Sequence, residues 1–435
     1  MHAVCEFLLV HFHLIDTTKA GTNTRELIFV RNPVIRLQIF LKRKESNMRE
    51  VAVLGVGMTK FGISEKSNLE MFAEAGLEAI TKSNLEPKDM EALFFGNCLG
   101  DFEEGQLHMA PFAHAELGLP LSAPATRFEA ACATATVAIR HAALLVGAGV
   151  YDVVLAGGTE RAAKMGTPLA TRTFAMACQA QYESMSGLTF PAVFAMAAHM
   201  YASKYEIPLQ ELKRHMAEVS VKNHRHGSMN PKAHFQKEIA VETVLGGMMV
   251  ADPLQLFDCC PFSDGASAVV VADAAKARDR VKKPVYVAGM GQASAGPLYV
   301  QKDLSRVAAR EEASRQAYKE AGLGPDDIDV VELHDCFTIA EILAIESLGL
   351  FEFGKGYDAA TKGETTFKGK VVVNPSGGLK AKGHPIGATG AGQVTEIVEQ
   401  LRGECGQRQV EGARVGYVDT LGGDFGTVCN IILRS

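Results

Sequence analysis

Several patterns that mark other classes of protein are missing from this sequence. No run of about 18 or more apolar residues occurs, so we expect no membrane-spanning helix. The nine cysteines are odd in number, are irregularly spaced and include no CxxC pair, which argues against a zinc-ribbon or redox motif. The net charge of −6 provides no global basic field for nucleic acid. We therefore expect free thiols in a reducing compartment, which we take to be the cytoplasm.

The first 47 residues differ in character from the rest of the chain. Their apolar run, residues 7–15, is interrupted by His11 and His13 and is not preceded by Lys or Arg, so it is a poor secretory signal. From Met48 the sequence changes abruptly to MREVAVLGVG, an apolar pattern that predicts a β-strand. We interpret residues 1–47 as an N-terminal extension, with Met48 as the native start. An ordered N-terminal arm is the alternative.

The remaining sequence contains the same pattern twice. With 435 residues, of which 47% are hydrophobic, more than one domain-sized unit is expected. VAVLGVG (51–57) and VYVAGMG (285–291) each read as an apolar strand that ends in glycine, and each precedes an amphipathic helix, a proline-containing turn and a second strand. Alternating strands and helices predict parallel βαβ units with the helices outside the sheet. The sequence therefore predicts an α/β protein with two similar halves, 48–284 and 285–435.

The first half carries a long insertion, at about residues 161–262. It contains a Met-rich helical stretch, 190–224, and a segment rich in Gly, Asn and Pro, 225–235. An elaboration of this kind on one repeat often covers a site. A dimer contact or a scaffold role is the alternative interpretation.

Cys132 is the first candidate for chemistry. It lies in EAACATAT, where a strand pattern changes to a helix of small residues. Unpaired N–H groups at a helix start favour an anion and are expected to lower the pKa of a thiol. A small buried structural cysteine is the alternative at this position.

His384 lies at the equivalent place in the second half, in KAKGHPIGATGAGQ (380–393). The two loops are therefore predicted to face each other, so that the histidine takes the proton of the Cys132 thiol. A structural histidine is the alternative. Phosphate binding is disfavoured because the glycine-rich text lacks GxxxxGK[ST].

Two strand ends supply further candidates. His334 and Cys336 close the strand DVVELHDCF and, two residues apart on extended chain, point to the same face. Carboxyl ends of strands line the ligand crevice of an open α/β sheet. For His334 and Cys336 the alternatives are a capping histidine and a core cysteine. Asp335 points to the opposite face, so we expect it to be structural.

In DTLGGDFG (419–426), glycines allow backbone N–H groups to lie close to a ligand, where they can stabilise an oxyanion.

Taken in order, these motifs resemble the thiolase superfamily. The resemblance covers the chain from Met48 onward and rests on Cys132 in its alanine-rich helix start, HDCF (334–337), GHPIGATG (383–390) and the glycine-rich last strands. The chain is most similar to sterol-carrier-type thiolases and their archaeal and bacterial relatives, on the basis of the segments HDCF, NHRHGSMNP and ADPLQLFDCCPFSDGAS. The resemblance implies the thiolase fold: two βαβαβ halves in a layered α/β/α/β/α sandwich with an inserted loop domain.

The resemblance also implies a role for each motif residue. Cys132 would form an acyl-enzyme and His384 would activate it, while His334 and His384 would bind the thioester oxygen where the enolate develops. The N–H groups of Cys132 and Gly422 would form a second oxyanion hole.

One position departs from the common thiolase pattern. Many thiolases have an acid/base cysteine in a C-terminal CxG motif, but this chain has Thr420 there. In the sterol-carrier-type branch the cysteine of HDCF replaces it, so Cys336 is the implied acid/base.

The activity implied is CoA-dependent cleavage of a 3-oxoacyl-CoA, or the reverse Claisen condensation. Asp424 and Phe425 stand where the family usually has small or aliphatic residues, and we name them as substrate-pocket candidates. They favour a branched, aromatic or carboxylated substrate, such as benzoylsuccinyl-CoA. Formation of acetoacetyl-CoA by acetyl transfer is the alternative.

Further expectations concern ligands and partners. We expect no permanently bound cofactor and no metal, with coenzyme A and acyl-CoA as substrates. A homodimer or larger assembly is implied, together with a separate small zinc-ribbon/OB-fold subunit. The rival functions are another condensing enzyme of the same fold, of the decarboxylating or HMG-CoA type, and an inactive scaffold subunit.

Overall fold

The computed structural model describes residues 48–277 and 279–435. The interpretation of residues 1–47 as an extension lies outside the described residues and stays a prediction. In chain order the strands are β1 (Val51–Met58), β2 (Ala92–Gly96), β3 (Ala125–Phe128), β4 (Val153–Glu160), β5 (Met249–Ala251), β6 (Leu254–Gln255), β7 (Gly265–Asp273), β8 (Val285–Ser294), β9 (Val330–Glu332), β10 (Val372–Val373), β11 (Val415–Gly422) and β12 (Thr427–Arg434).

The α-helices alternate with these strands over most of the chain. They are α1 (Asn68–Lys82), α2 (Gly100–Glu103), α3 (Met109–Glu116), α4 (Thr134–Gly147), α5 (Thr167–Phe174), α6 (Phe190–Lys204), α7 (Leu209–Ser228), α8 (Val241–Leu245), α9 (Ala274–Ala277), α10 (Ala308–Ala321), α11 (Thr338–Ser347), α12 (Gly378–Ala381) and α13 (Thr389–Arg402). Within the described residues, no helix combines the length and the apolar character needed to cross a membrane.

The strand order shows the duplication directly. The first half has the order β1-β7-β4-β2-β3, and the second half repeats it as β8-β12-β11-β9-β10. The two five-stranded sheets join edge to edge, because β1 and β8 pair antiparallel through Ala52 with Tyr286 and Val53 with Val285. The predicted α/β architecture of two similar halves is confirmed.

The helices form three layers around the two sheets. Helices α4 and α13 contact each other and strands of both sheets, whereas α1 covers the first sheet and α10 covers the second from outside. The central layer is rich in alanine, which allows close packing, and buried side chains from both halves meet there, among them Ile139, Val394, Ile397 and Val418. Full burial of a side chain such as valine or isoleucine contributes about 1.5–3 kcal/mol.

The repeated glycines of β1 and β8 have one physical reason. A Cβ atom at Gly55, Gly57, Gly289 or Gly291 would come within 1.8–2.3 Å of a carbonyl oxygen of the covering helix. Glycine at these positions therefore lets α1 and α10 lie directly on their strands. The similar glycine spacing of β1 and β8 therefore reflects equivalent helix–strand contacts in the two halves.

The insertion packs against the second half. Helix α7 contacts α11 and α12, and the ring of Phe194 on α6 stacks on Phe337 at a centroid distance of 4.5 Å. An apolar cluster shared by the insertion and the strand ends includes Leu379, Leu421 and Phe425. The insertion is thereby fixed over the carboxyl ends of β9 and β11, where the candidate residues lie.

Candidate active site

The loop that carries Cys132 is fixed by short polar contacts. After β3, a 3₁₀ turn spans Ala131–Ala133 and runs into α4. The Thr134 hydroxyl accepts the Ala130 N–H at 2.8 Å and donates to the Ala131 carbonyl at 2.6 Å. The Cys98 thiol donates to the same carbonyl at 3.1 Å. Cys132 is thus held half-buried at the start of a helix, as its surroundings in the sequence predict.

The loop that carries His384 has the same local form. A 3₁₀ turn at Ile386–Ala388 leads into α13, and the backbone N–H of His384 donates to Ser263 Oγ at 3.1 Å. The Thr389 hydroxyl donates to the Pro385 carbonyl at 3.0 Å and lies 2.7 Å from His384 Nδ1. Because the single hydroxyl proton is used by that carbonyl, Thr389 accepts from His384 Nδ1–H. This leaves Nε2 as the unprotonated nitrogen, able to accept a proton.

The two loops meet, and His334 joins them. The sulfur of Cys132 and one ring nitrogen each of His334 and His384 all lie within 4.8 Å of one another. The two imidazole rings stand edge to face, 5.1 Å apart. Close approach depends on glycine, since a Cβ atom on Gly158 would lie 1.9 Å from the Gly387 carbonyl oxygen. The structure thus brings together a thiol and two imidazoles from different parts of the chain.

The HDCF segment divides into residues with different surroundings. His334 is buried, and its Nδ1 has no hydrogen-bond partner among the described residues. Cys336 is also buried, and its carbonyl accepts the Cys260 N–H at 2.9 Å. Asp335 turns away and accepts from Asn223 Nδ2 and Leu379 N, both at 2.7 Å, so it anchors the start of α12.

The end of β11 supplies backbone donors near the sulfur. A Cβ atom on Gly422 would lie 2.4 Å from the Ala130 carbonyl, so the strand end touches the Cys132 loop. The N–H of Gly423 acts on the Cys132 sulfur in the direction of a lower thiol pKa. Sequence reasoning named Gly422 and missed Gly423. Gly423 has a left-handed φ of 66°, a conformation that favours glycine, and this explains the second glycine of the TLGG motif.

The protonation state of the resting site differs from the expectation for a helix start. Burial raises the pKa of the Cys132 thiol to about 12, against the opposing effect of the N–H groups of Gly423 and of Cys132 itself. Burial also lowers the pKa of His384 to about 3. The prediction of a lowered thiol pKa is therefore wrong for the free protein, because desolvation outweighs the field of the helix start. A neutral thiol and a neutral imidazole are the resting pair.

A cavity of about 460 Å³ opens beside the nucleophile. Cys132, Cys98 and the backbone of Gly422 and Gly423 line one side of it. Phe174, Met176 and Phe190 of the insertion line another. The volume lies in the range of small-molecule pockets, and the insertion forms part of its wall.

The two substrate-pocket candidates are placed differently. Asp424 lines the cavity and its carboxyl lies beside Glu183, accepting the Leu298 N–H at 3.2 Å. Phe425 is 1% exposed and packs edge to face on Phe194 at 4.9 Å. The expectation that Phe425 faces substrate is corrected: its side chain belongs to the apolar cluster that fixes the insertion, because the turn after β11 directs it there.

Asp424 makes stability depend on pH. Burial, and then the neighbouring Glu183, raise the pKa of its carboxyl to about 6. A carboxyl with a raised pKa binds its proton more tightly in the folded state than in the unfolded state. Its contribution to the free energy of unfolding is therefore present in acid and is lost as pH rises through about 6. Asp424→Asn should remove this loss, raising stability at neutral pH relative to wild type by about 1–2 kcal/mol. Urea unfolding at mildly acidic and neutral pH measures the difference, with Asp326→Asn at an exposed turn as control. Equal pH slopes in wild type and Asp424→Asn would contradict it.

Thr420 has no acid/base chemistry available. Its hydroxyl is buried, 2.6 Å from that of Thr136, and donates to Gln393 Oε1 at 2.8 Å. It ties β11 to the two central helices.

The cluster of Cys132, His334 and His384 also has the donor types of a transition-metal site, one sulfur and two imidazoles. A metal bound there would occupy the sulfur and the His384 nitrogen that the nucleophilic chemistry needs. Thr389 already takes the other His384 nitrogen.

The fold and this cysteine–histidine site point to one class, the acyl-CoA acyltransferases. Residues 51–275 match the family model described as thiolase, N-terminal domain, and residues 291–435 match the thiolase C-terminal domain-like model. The chain belongs to the thiolase family, and it is an acyl-CoA acyltransferase.

Relatives of known name agree with this membership. The chain is 44% identical to an acetyl-CoA acetyltransferase of Methanothermobacter thermautotrophicus, over 87% of this chain and 98% of the relative. It is 37% identical to the benzoylsuccinyl-CoA thiolase subunit BbsB of Thauera aromatica, over 86% and 95%. Among solved structures, "Ltp2-ChsH2(DUF35) aldolase" is similar with a TM-score of 0.74 and 25% identity, covering 89% of this chain and 98% of that one.

Proposed function

We propose that this protein cleaves a 3-oxoacyl-CoA with free CoA, or runs the reverse condensation, through an acyl group on Cys132. The observation that carries the proposal is the convergence of the Cys132 sulfur with ring nitrogens of His334 and His384 within 4.8 Å. The test is incubation with a 3-oxoacyl-CoA without free CoA, followed by intact-protein and peptide mass spectrometry. A mass increase of one acyl group on the Cys132 peptide is expected. An inactive scaffold subunit would remain unmodified.

The proposed cleavage has two stages. His384 Nε2 takes the thiol proton as the sulfur attacks the 3-keto carbon, which overcomes the raised pKa of the resting thiol. The N–H groups of Cys132 and of the Gly422–Gly423 pair stabilise the oxyanion at that carbon, each such donor contributing about 10²–10³ in rate. The carbon–carbon bond then breaks to leave an enolate, whose oxygen lies by His334 and His384. Free CoA finally removes the acyl group from Cys132.

Cys336 is the proposed acid that protonates the enolate carbon. Burial raises the pKa of the Cys336 thiol well above its usual range, so it holds its proton until a strongly basic carbanion forms. Burial, the adjacent His384 and Arg310 lower the pKa of His334, which keeps that imidazole neutral as a hydrogen-bond donor.

Replacement of Cys336 separates the two stages. Cys336→Ser should still exchange acyl groups between Cys132 and CoA, because that stage needs no carbon acid. It should lose about 10²–10⁴-fold in carbon–carbon cleavage, the usual contribution of general acid catalysis. Acyl-CoA/CoA exchange with labelled CoA and 3-oxoacyl-CoA cleavage measure the two stages. Cys405→Ser is a matched control, because Cys405 lies by Glu396, away from the cavity. An unchanged cleavage rate in Cys336→Ser would move the acid role elsewhere.

The acyl substrate is the finer part of the proposal. The walls supplied by Phe174, Met176 and Phe190 support an acyl group with branched or aromatic character, for which benzoylsuccinyl-CoA is our specific candidate. Acetyl transfer to form acetoacetyl-CoA is the second candidate, supported by the 44% identical acetyltransferase. Comparing kcat/KM for acetoacetyl-CoA and benzoylsuccinyl-CoA decides between them. Malonyl transfer without CoA-dependent cleavage would favour a decarboxylating condensing enzyme instead.

We also propose the molecular setting. Coenzyme A serves as substrate, and no permanently bound cofactor or metal takes part. The likeness to the Ltp2–ChsH2(DUF35) structure supports a separate small zinc-ribbon/OB-fold subunit. We propose a homodimer or larger assembly in the cytoplasm, where the eight cysteines of the described residues, all free, remain reduced.

A further inference from the structure

Glu160 connects the two catalytic loops, although it touches neither Cys132 nor His384. It is the last residue of β4 and is fully buried. Its Oε2 accepts the Cys98 N–H at 3.0 Å and the Gly387 N–H at 3.1 Å. Its Oε1 accepts the Leu99 N–H at 3.0 Å and Asn97 Nδ2 at 2.9 Å. One carboxylate therefore binds four N–H donors that come from both halves of the protein.

Two of these contacts, those with Cys98 and Gly387, lead to the loops of Cys132 and His384. On the first-half side, the Cys98 sulfur reaches the Ala131 carbonyl at 3.1 Å and lies 3.0 Å from the Thr134 hydroxyl, the two residues that flank Cys132 and Ala133. On the second-half side, Gly387 lies in the 3₁₀ turn directly after His384 and Pro385. Glu160 therefore links the segments that hold both loops, in addition to the direct contacts between the two 3₁₀ turns.

A neighbouring carboxyl completes the arrangement. Burial, followed by the adjacent Glu160, raises the pKa of Glu103 to about 9. Its Oε1 accepts Asn68 Nδ2 at 3.0 Å and the Arg161 N–H at 2.9 Å. Burial also raises the pKa of Glu160, but the N–H groups of Leu99, Cys98 and Gly387 oppose that shift. The pKa of Glu160 is raised to about 7 and that of Glu103 to about 9, so Glu160 is the first of the two carboxyls to become charged as pH rises.

We infer that Glu160 is a positioning residue, which holds the Cys132 loop and the His384 loop in register across the seam between the two halves. The inference rests on the proposed acyl-enzyme function. An acceptor with two oxygens can satisfy four N–H groups, and an amide cannot, since its NH₂ would face two donors. A displacement of a reacting group by about 1 Å can cost about 10²-fold in rate.

The test compares Glu160→Gln with a matched control, Glu104→Gln. Glu104 is a nearby carboxylate that accepts from Asn68 N and Arg161 Nη1 and makes no contact with either loop. Glu160→Gln is expected to lower kcat by about 10²-fold with little change in KM. It should also slow iodoacetamide alkylation of Cys132, because His384 Nε2 no longer lies where it takes the thiol proton. Glu104→Gln should retain both rates.

A second variant uses pH, because ionisation of Glu103 changes the charge beside Glu160. In wild type, ionisation of Glu103 in alkali places a second negative charge beside Glu160. The other titratable groups that face this pair are Cys98 and Arg161, and Glu104 lies on the same turn as Glu103. The rate of Cys132 alkylation increases with pH as thiolate forms, and in wild type this increase should be smaller than expected once Glu103 ionises. Glu103→Gln keeps a hydrogen-bond donor at that position and cannot ionise, so its alkylation rate should show the full increase.

The outcomes separate the two ideas. A folded Glu160→Gln protein whose Cys132 alkylation and kcat stay within about two-fold of wild type overturns the inference. If that variant does not fold, an identical alkaline profile in Glu103→Gln and wild type overturns it. Absence of CoA-dependent cleavage in wild type overturns the proposed function instead, and the alkylation comparison still decides whether Glu160 sets the pairing of the two loops.

Discussion

Cys132→Ala is expected to lower kcat for CoA-dependent cleavage by about 10⁴–10⁶-fold, the usual effect of removing a covalent nucleophile. The physical reason is that no other described thiol stands within reach of both imidazoles in the cluster of Cys132, His334 and His384. Cys98 lines the same cavity, but its sulfur is engaged with Ala131 and Thr134, and burial raises its pKa well above the usual range. It cannot replace the lost sulfur.

Two measurements establish that effect. Steady-state thioester cleavage gives kcat, and mass spectrometry after incubation with a 3-oxoacyl-CoA shows whether an acyl group is retained. Cys405→Ala controls for the loss of a buried thiol at a site remote from the cavity. Substantial activity in Cys132→Ala, or an acyl group found on another cysteine, would refute the assignment of the nucleophile. The alanine side chain is smaller than that of cysteine and fits the same space, so a loss of folding is not expected to explain the result.

His384→Gln is expected to lower kcat by about 10²–10⁴-fold, the range of a general base. Glutamine can retain a hydrogen bond to Thr389 but cannot take the thiol proton. Because burial lowers the pKa of His384 to about 3, the wild-type imidazole stays neutral and competent across the neutral range, and its base function is lost only as pH falls toward about 3. The rate in acid should therefore not fall near the usual pKa of histidine, about 6.5.

Thr389→Val provides the paired test of how the base is oriented. Valine has a similar shape but removes the hydroxyl that accepts His384 Nδ1–H, so the tautomer with a free Nε2 is no longer imposed. A loss of about 10-fold in kcat is expected, about the value of one net hydrogen bond to a polar group. The measurements are the pH–rate profile and the rate of Cys132 alkylation. Wild-type alkylation in His384→Gln would show that another group activates the thiol.

Several features of the site followed from sequence spacing alone. The repeat predicted that the EAACATAT and GHPIGATG loops occupy equivalent places, and the structure gives each a 3₁₀ turn before a central helix. Strand alternation predicted that Asp335 points away from His334 and Cys336, and Asp335 caps α12. These inferences succeeded because backbone periodicity and the position of a helix start are local properties.

Other features depended on groups distant in the chain. The raised thiol pKa of Cys132 is set chiefly by burial under residues of the insertion and of both halves. Phe425 lies in the core because α6 places Phe194 against it. Glu160 gave no motif signal, since its four donors are spread from Asn97 to Gly387. No local pattern specifies such contacts.

The amino-acid sequence by itself determined the duplicated α/β halves, the thiolase family and the choice of candidate site residues, because each depends on short-range periodicity or on a contiguous motif. Tertiary structure alone decided how close Cys132, His334 and His384 lie, which protons they hold and which residues wall the cavity. Distances between separate loops and the desolvation of buried charges arise only when both halves pack together, and no single segment contains them.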